Sequence, residues 1–202
     1  MAITERESLS YWNYFLALEA DLERLSRFVE FTSVNFQTYS LEMARLLLTG
    51  ASEVDVVAKH YCSLLSAERA ENINHYRQII GPQIRGRETT TVFMPRYGLE
   101  LTPWGSWKDD TAPDWWTDHN KVKHQRRLYY DRANLKNVLN ALGGLFLLLV
   151  WFYRNQPEIR RLVPAPSLFS APPEVIKRAH FHDGETGLYY DELILSMAGL
   201  LA

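Results

Sequence analysis

Two imidazoles, an asparagine and four cations fall within nine residues, "HNKVKHQRR": His119, Asn120, Lys121, Lys123, His124, Arg126 and Arg127. Histidine can take up and release a proton near neutral pH, and neighbouring cations can steady charge that develops on a phosphate. At 100° per residue on a helix, Asn120, Lys123, His124 and Arg127 share one polar, basic stripe. Trp115, Val122 and Tyr129 form the inward seam, with His119 and Arg126 on its flank. The two histidines are therefore expected on different faces, His124 with the bases and His119 at the edge of the buried side. From His119 to Lys136 there are six Lys or Arg and one acid, Asp131, in a chain whose formal net charge is −2. Tyr129 and Tyr130 lie within this basic run, so phosphate contact and base stacking are both open to it. The plainer reading is a solvated helix face.

The elements that must position these groups read as mainly helical. At 202 residues, with 47% hydrophobic and 23% charged, the chain has the composition of a folded globular domain. Tyr11, Phe15, Leu18, Leu22, Leu25 and Val29 trace one face of a first helix, from Ser8 or Ser10 to about Phe31. Glu19, Asp21, Glu23, Arg24 and Arg27 are assigned to its outer surface. Ser40 caps a second helix, "LEMARLLLTGASEVDVVAKHYCSLL", read as one element because an interior glycine such as Gly50 costs only about 1 kcal/mol. A third helix is expected from Glu68 to the Gly81–Pro82 breaker. "TTTVFM" and "LELTPW" flank the turn signal "PRYG" and predict a small hairpin inside an insertion at 83–113. Asp114 is the candidate cap of the helix bearing the polar run.

A core helix follows, from about Asp131 to Arg154. Its apolar stretch, Val138 to Tyr153, is sixteen residues, short of the roughly 18 that a bilayer span needs, so it reads as buried core and not as a membrane segment. The unit spans 1–157. Residues 158–202, irregular and proline-rich at first, with two short runs of strand character, form an extension packing on it. The lone Cys62 excludes an internal disulfide and fits a reducing, cytoplasmic setting. The first residues lack the order of a signal peptide.

"HNKVKH", placed ahead of a long apolar helix, resembles the signature of the HEPN superfamily: an arginine, commonly followed by asparagine, with a histidine four to six positions on. Asn120 matches the asparagine and His124 the histidine; His119 stands in the arginine's place. The resemblance spans Ser8 to Arg154 and implies an HEPN-like helical bundle that acts on RNA. The implied chemistry is metal-independent endoribonuclease cleavage by the adjacent 2′-hydroxyl, with no cofactor. It implies a setting in microbial toxin–antitoxin or antiviral defence, and a dimer that brings two motifs together. His124 would move the proton, Asn120 would contact phosphate or sugar, and Lys121, Lys123, Arg126 and Arg127 would bind the strand. Histidine replaces the arginine only when protonated, which a buried flank disfavours. The alternative is a non-catalytic accessory subunit that assembles with itself or with a partner protein encoded nearby.

Other groups have two readings each. Glu53, Asp55 and Lys59 on the second helix could line the same cleft, as in some HEPN domains, or Asp55–Lys59 could be an exposed i, i+4 pair. Asn137, Asn140 and Gly144 form a stripe suited either to a subunit contact or to intramolecular packing. His180 and His182 of "HFHD" share a face if extended, with Asp183 as the one further donor; no metal site is expected from so short a pair. Cys62 reads as inert core.

Overall fold

The structure is a computed structural model that describes residues 8–181 and 184–191. Mainly helical, as its periodicity predicts, it carries two small antiparallel strand groups. The helices are α1 (Ser10–Leu25), α2 (Leu41–Leu65), α3 (Ile73–Ile80), α4 (Asp114–Tyr129) and α5 (Leu135–Arg154).

At the centre of the bundle lies α5. Every one of its residues is buried except Lys136 and Asn140, and it packs chiefly against α2. It is long and apolar enough to cross a bilayer, but 89% of its apolar window is covered by protein. Gly50 lets α2 approach: a Cβ there would stand 2.7 Å from Leu142 Cδ2. The second helix therefore runs unbroken through its glycine, capped by Ser40 Oγ accepting from Met43 N–H at 3.1 Å.

Three boundaries move from the sequence expectation. The first helix stops at Leu25, where Ser26 Oγ donates to the Glu23 carbonyl at 2.7 Å, and Phe28 beyond it is exposed. The third begins at Ile73, because the Asn72 side chain accepts from the Asn74 and His75 N–H groups. The fifth begins at Leu135, with Asn134 accepting from the Asn137 N–H. Asp114 is not a cap but the first residue of α4, preceded by Pro113.

Glu19 is the largest departure on α1. It is 3% exposed, and its carboxylate accepts from the backbone N–H groups of Ser167, Leu168 and Phe169 at 2.9, 2.8 and 3.2 Å. Trp12 Nε1 donates to the Pro164 carbonyl at 3.0 Å and Tyr190 Oη to the Val150 carbonyl at 2.6 Å. The segment after Pro157 thus lies against α1 and α5.

The insertion forms the expected hairpin, β1 (Val92–Met94) with β2 (Leu99–Leu101), its turn closed by Gly98 at φ 61°. It is also a plug. Trp104 stacks near Trp107, Trp115 and Trp151, with ring centroids 4.5, 5.4 and 6.4 Å away. The second strand group is ordered β3 (Arg161–Leu162), β5 (Thr186–Tyr189), β4 (Lys177–His180). A bridge between Phe93 and Ser170 ties this terminal part to the hairpin.

In the small-residue stripe, Gly144 serves internal packing. Its position would set a Cβ 3.2 Å from Trp115 Cζ2, and its carbonyl accepts from Trp104 Nε1 at 3.0 Å. Asn137 is buried and donates to Asp118 Oδ2 at 3.0 Å and to the Arg132 carbonyl at 2.8 Å. Asn140 donates to the Lys136 carbonyl of its own helix at 2.9 Å.

Candidate nucleic-acid interface

The helix bearing the polar run is in two pieces. Gln125 leaves helical conformation, at φ −140° and ψ 47°, one residue after His124. The periodic projection therefore holds from Trp115 to His124 and fails beyond it. Arg126 and Arg127 sit on a differently directed turn, so Arg127 does not continue the stripe of Asn120, Lys123 and His124.

On the first piece, Trp115, Trp116, His119 and Val122 are buried. His119, Asn120 and Lys123 line a cleft of about 400 Å³ with Ser52, Asp55 and Lys59 of α2 and with Glu71 and Asn72. Three residues of the polar run, without His124, thus meet part of the acidic–basic patch on α2. Glu53 does not line this cleft, and burial raises its pKa. Asp55 is held from two sides, accepting from Tyr76 Oη at 2.6 Å and from Lys59 Nζ at 2.5 Å. Both the ion pair and the cleft-lining position proposed for Asp55 and Lys59 are therefore present.

His119 is 4% exposed, with its ring 5.5 Å from that of Trp116. Burial pushes its pKa down to about 4, Lys123 and His124 add to the fall, and Asp55 and the Trp116 carbonyl oppose it. Nδ1 is sealed from solvent and makes no well-formed hydrogen bond among the described residues; the Trp116 carbonyl is only a weak influence on it. At neutral pH His119 is therefore an uncharged ring.

This predicts a pH dependence. The folded pKa lies below the ordinary 6.5, so folding requires the neutral form. That contribution is complete above about pH 6.5 and is lost as pH falls towards about 4, an effect of about 3 kcal/mol for a group this buried. Urea unfolding of wild type and His119→Gln should therefore show the gap between them shrinking by about 3 kcal/mol from pH 7 to pH 4.

His124 lies outside the cleft lining and is exposed, as are Lys123, Arg126 and Arg127. Among the described residues, none of Lys123, Arg126 and Arg127 has an acidic partner. Lys121 differs: its Nζ donates to Asp118 Oδ1 at 2.9 Å and stands 5.9 Å from the Tyr129 ring centre. It is engaged within the fold, unlike its neighbours in the run.

Sequence reasoning missed Tyr76, whose hydroxyl fixes Asp55, and Trp116, which covers His119. A tyrosine buried in α3 and a tryptophan one turn before the histidine were the available signals. Of the "HFHD" pair, His180 ends β4 with Nδ1 2.7 Å from Thr186 Oγ1, while His182 and Asp183 lie outside the described residues. Among the described residues, no three His, Cys, Asp or Glu side chains gather in a metal-binding group. Cys62 is buried in α2, and burial raises its thiol pKa to about 11. Comparison of the chain with family models, curated proteins and solved structures finds no match.

Proposed function

We propose that this chain is an RNA-directed protein, HEPN-like in motif, that grips a phosphodiester strand along Lys123, His124, Arg126 and Arg127. The observation that carries this reading is that these four side chains are exposed and that the three cations among them lack acidic partners within the described residues. Exposed cations that the fold leaves unneutralised release counterions when they meet a phosphate backbone, which makes such binding favourable and strongly salt-dependent.

The cleavage implied by the resemblance then assigns the proton transfer to His124. Its imidazole takes the proton of a 2′-hydroxyl as that oxygen attacks the adjacent phosphorus. The bond to the 5′-oxygen breaks, the 5′-oxygen takes a proton from solvent, and a 2′,3′-cyclic phosphate remains. Lys123, next in the chain, and the turn carrying Arg126 and Arg127 are the cations that would face the phosphate. Asn120 lines the cleft rather than the outer run, so its role is contact with a sugar or base edge that enters there.

Incubation with single-stranded RNA in excess chelator tests this. Cleavage leaving cyclic phosphate ends is expected, falling about a hundredfold or more in His124→Ala, the range for loss of a general base. A second reading has its own support in the uncharged, buried His119. It makes the chain a non-catalytic accessory subunit of a toxin–antitoxin or antiviral system, assembling with itself or with a neighbouring protein. RNA left intact by wild type, together with a defined oligomer, selects that reading.

A further inference from the structure

We infer that Tyr39 and Tyr130 form a stacking platform for an unpaired nucleobase, so that the strand recognised is single rather than duplex; this rests on the RNA-directed reading above. One ring precedes α2 and the other follows α4. They meet edge to face, with centroids 5.4 Å apart and planes at 77°. Tyr130 is half-buried and packs on the core, while Tyr39 is 49% exposed. One ring is therefore an anchor and the other presents surface.

The platform is preorganised. Leu135 N–H donates to the Thr38 carbonyl at 2.9 Å, and Lys136 N–H to the Phe36 carbonyl at 3.2 Å. Tyr39 itself bridges Asn134, whose side-chain amide reaches Gln37 Oε1 at 3.4 Å. The chain on either side of Tyr39 is thus stitched to the start of α5, so little conformational freedom remains to be lost on binding.

Its surroundings fit an unpaired strand. Tyr130 follows Arg126 and Arg127 by four and three residues, on the turn beyond the bend at Gln125. Leu128, between them, is 70% exposed. Aromatic faces beside unneutralised cations are what single-stranded nucleic acid uses, since every base offers a π-face once it is out of a duplex. A duplex hides those faces and would meet only the charges.

The test compares binding of a labelled single-stranded RNA and its duplex, by anisotropy across a salt series. An anionic vesicle of phosphatidylserine and phosphatidylcholine serves as a second probe. Wild type should prefer the single strand. Tyr39→Ala should lose about tenfold in affinity for it, within the usual range for one stacked base, without altering the salt slope. Tyr39→Phe should restore binding, which a hydrogen-bonding or folding role for the hydroxyl would not allow. Arg126→Gln with Arg127→Gln should instead flatten the salt slope. RNA binding that treats strand and duplex alike, or that ignores Tyr39→Ala, overturns the platform and leaves the RNA reading standing. Absence of any RNA binding overturns that reading too, and vesicle binding without RNA binding assigns the surface to lipid.

Discussion

Trp104→Ala is expected to lower the unfolding free energy by about 4 kcal/mol, within the range for emptying a buried tryptophan site. Trp104 is 1% exposed, ringed by Trp107, Trp115 and Trp151, and donates through Nε1 to the Gly144 carbonyl. Removing it opens a cavity against stiff rings, which close a gap poorly. It also withdraws support from Trp115, the residue that fixes the first turn of α4 against Gly144. Urea unfolding followed by far-UV circular dichroism should show a lowered midpoint with unchanged slope. Trp104→Phe, which keeps most of the ring but loses the N–H bond, should cost roughly 2 kcal/mol. Equal costs for the two variants would show that the hydrogen bond, not the ring volume, carries the stabilisation.

Glu19→Ala is expected to cost about 3 kcal/mol and to loosen the chain around Ser167–Phe169. Each buried N–H left without an acceptor costs on the order of 1 kcal/mol or more, and Glu19 serves three. Burial raises the Glu19 pKa, and the three N–H donors pull it only part of the way back. A desolvated charge is therefore relieved by the same substitution, which keeps the net loss below the sum of three orphaned donors. Glu19→Gln should recover only part of the loss, because its amide nitrogen would face a backbone N–H. Amide hydrogen exchange reads the local effect directly: Leu168 and Phe169 should exchange much faster in Glu19→Ala, while the middle of α5 should slow or quicken only with global stability.

Much of the architecture was legible because it depends on near neighbours in sequence. The 3.6-residue period of α2 outweighed its glycine, "PRYG" announced a turn between β-branched runs, and the apolar stretch before Arg154 was too apolar for a surface. What escaped reading depends on distant partners. Glu19 looks like one more acid on an outer face, and only the arrival of residues 167–169 makes it an internal acceptor. Gly144 signals close approach, yet nothing nearby says that the visitor is a tryptophan rather than a helix. Gln125 has no proline or glycine beside it, so the break in α4 leaves no mark in the pattern. The site was half legible for the same reason. The seam of Trp115 and Val122 placed His119 at a buried edge, but a straight projection through Arg127 assumed a helix that does not exist.

The bend at Gln125 divides labour along one helix. Upstream, His119 and Asn120 belong to a crevice walled by α2; downstream, Arg126 and Arg127 belong to an open exterior beside Tyr130. Substitutions on one side of that hinge point need not disturb the other. Charges on the open side can therefore be traded for other side chains while the crevice keeps its shape.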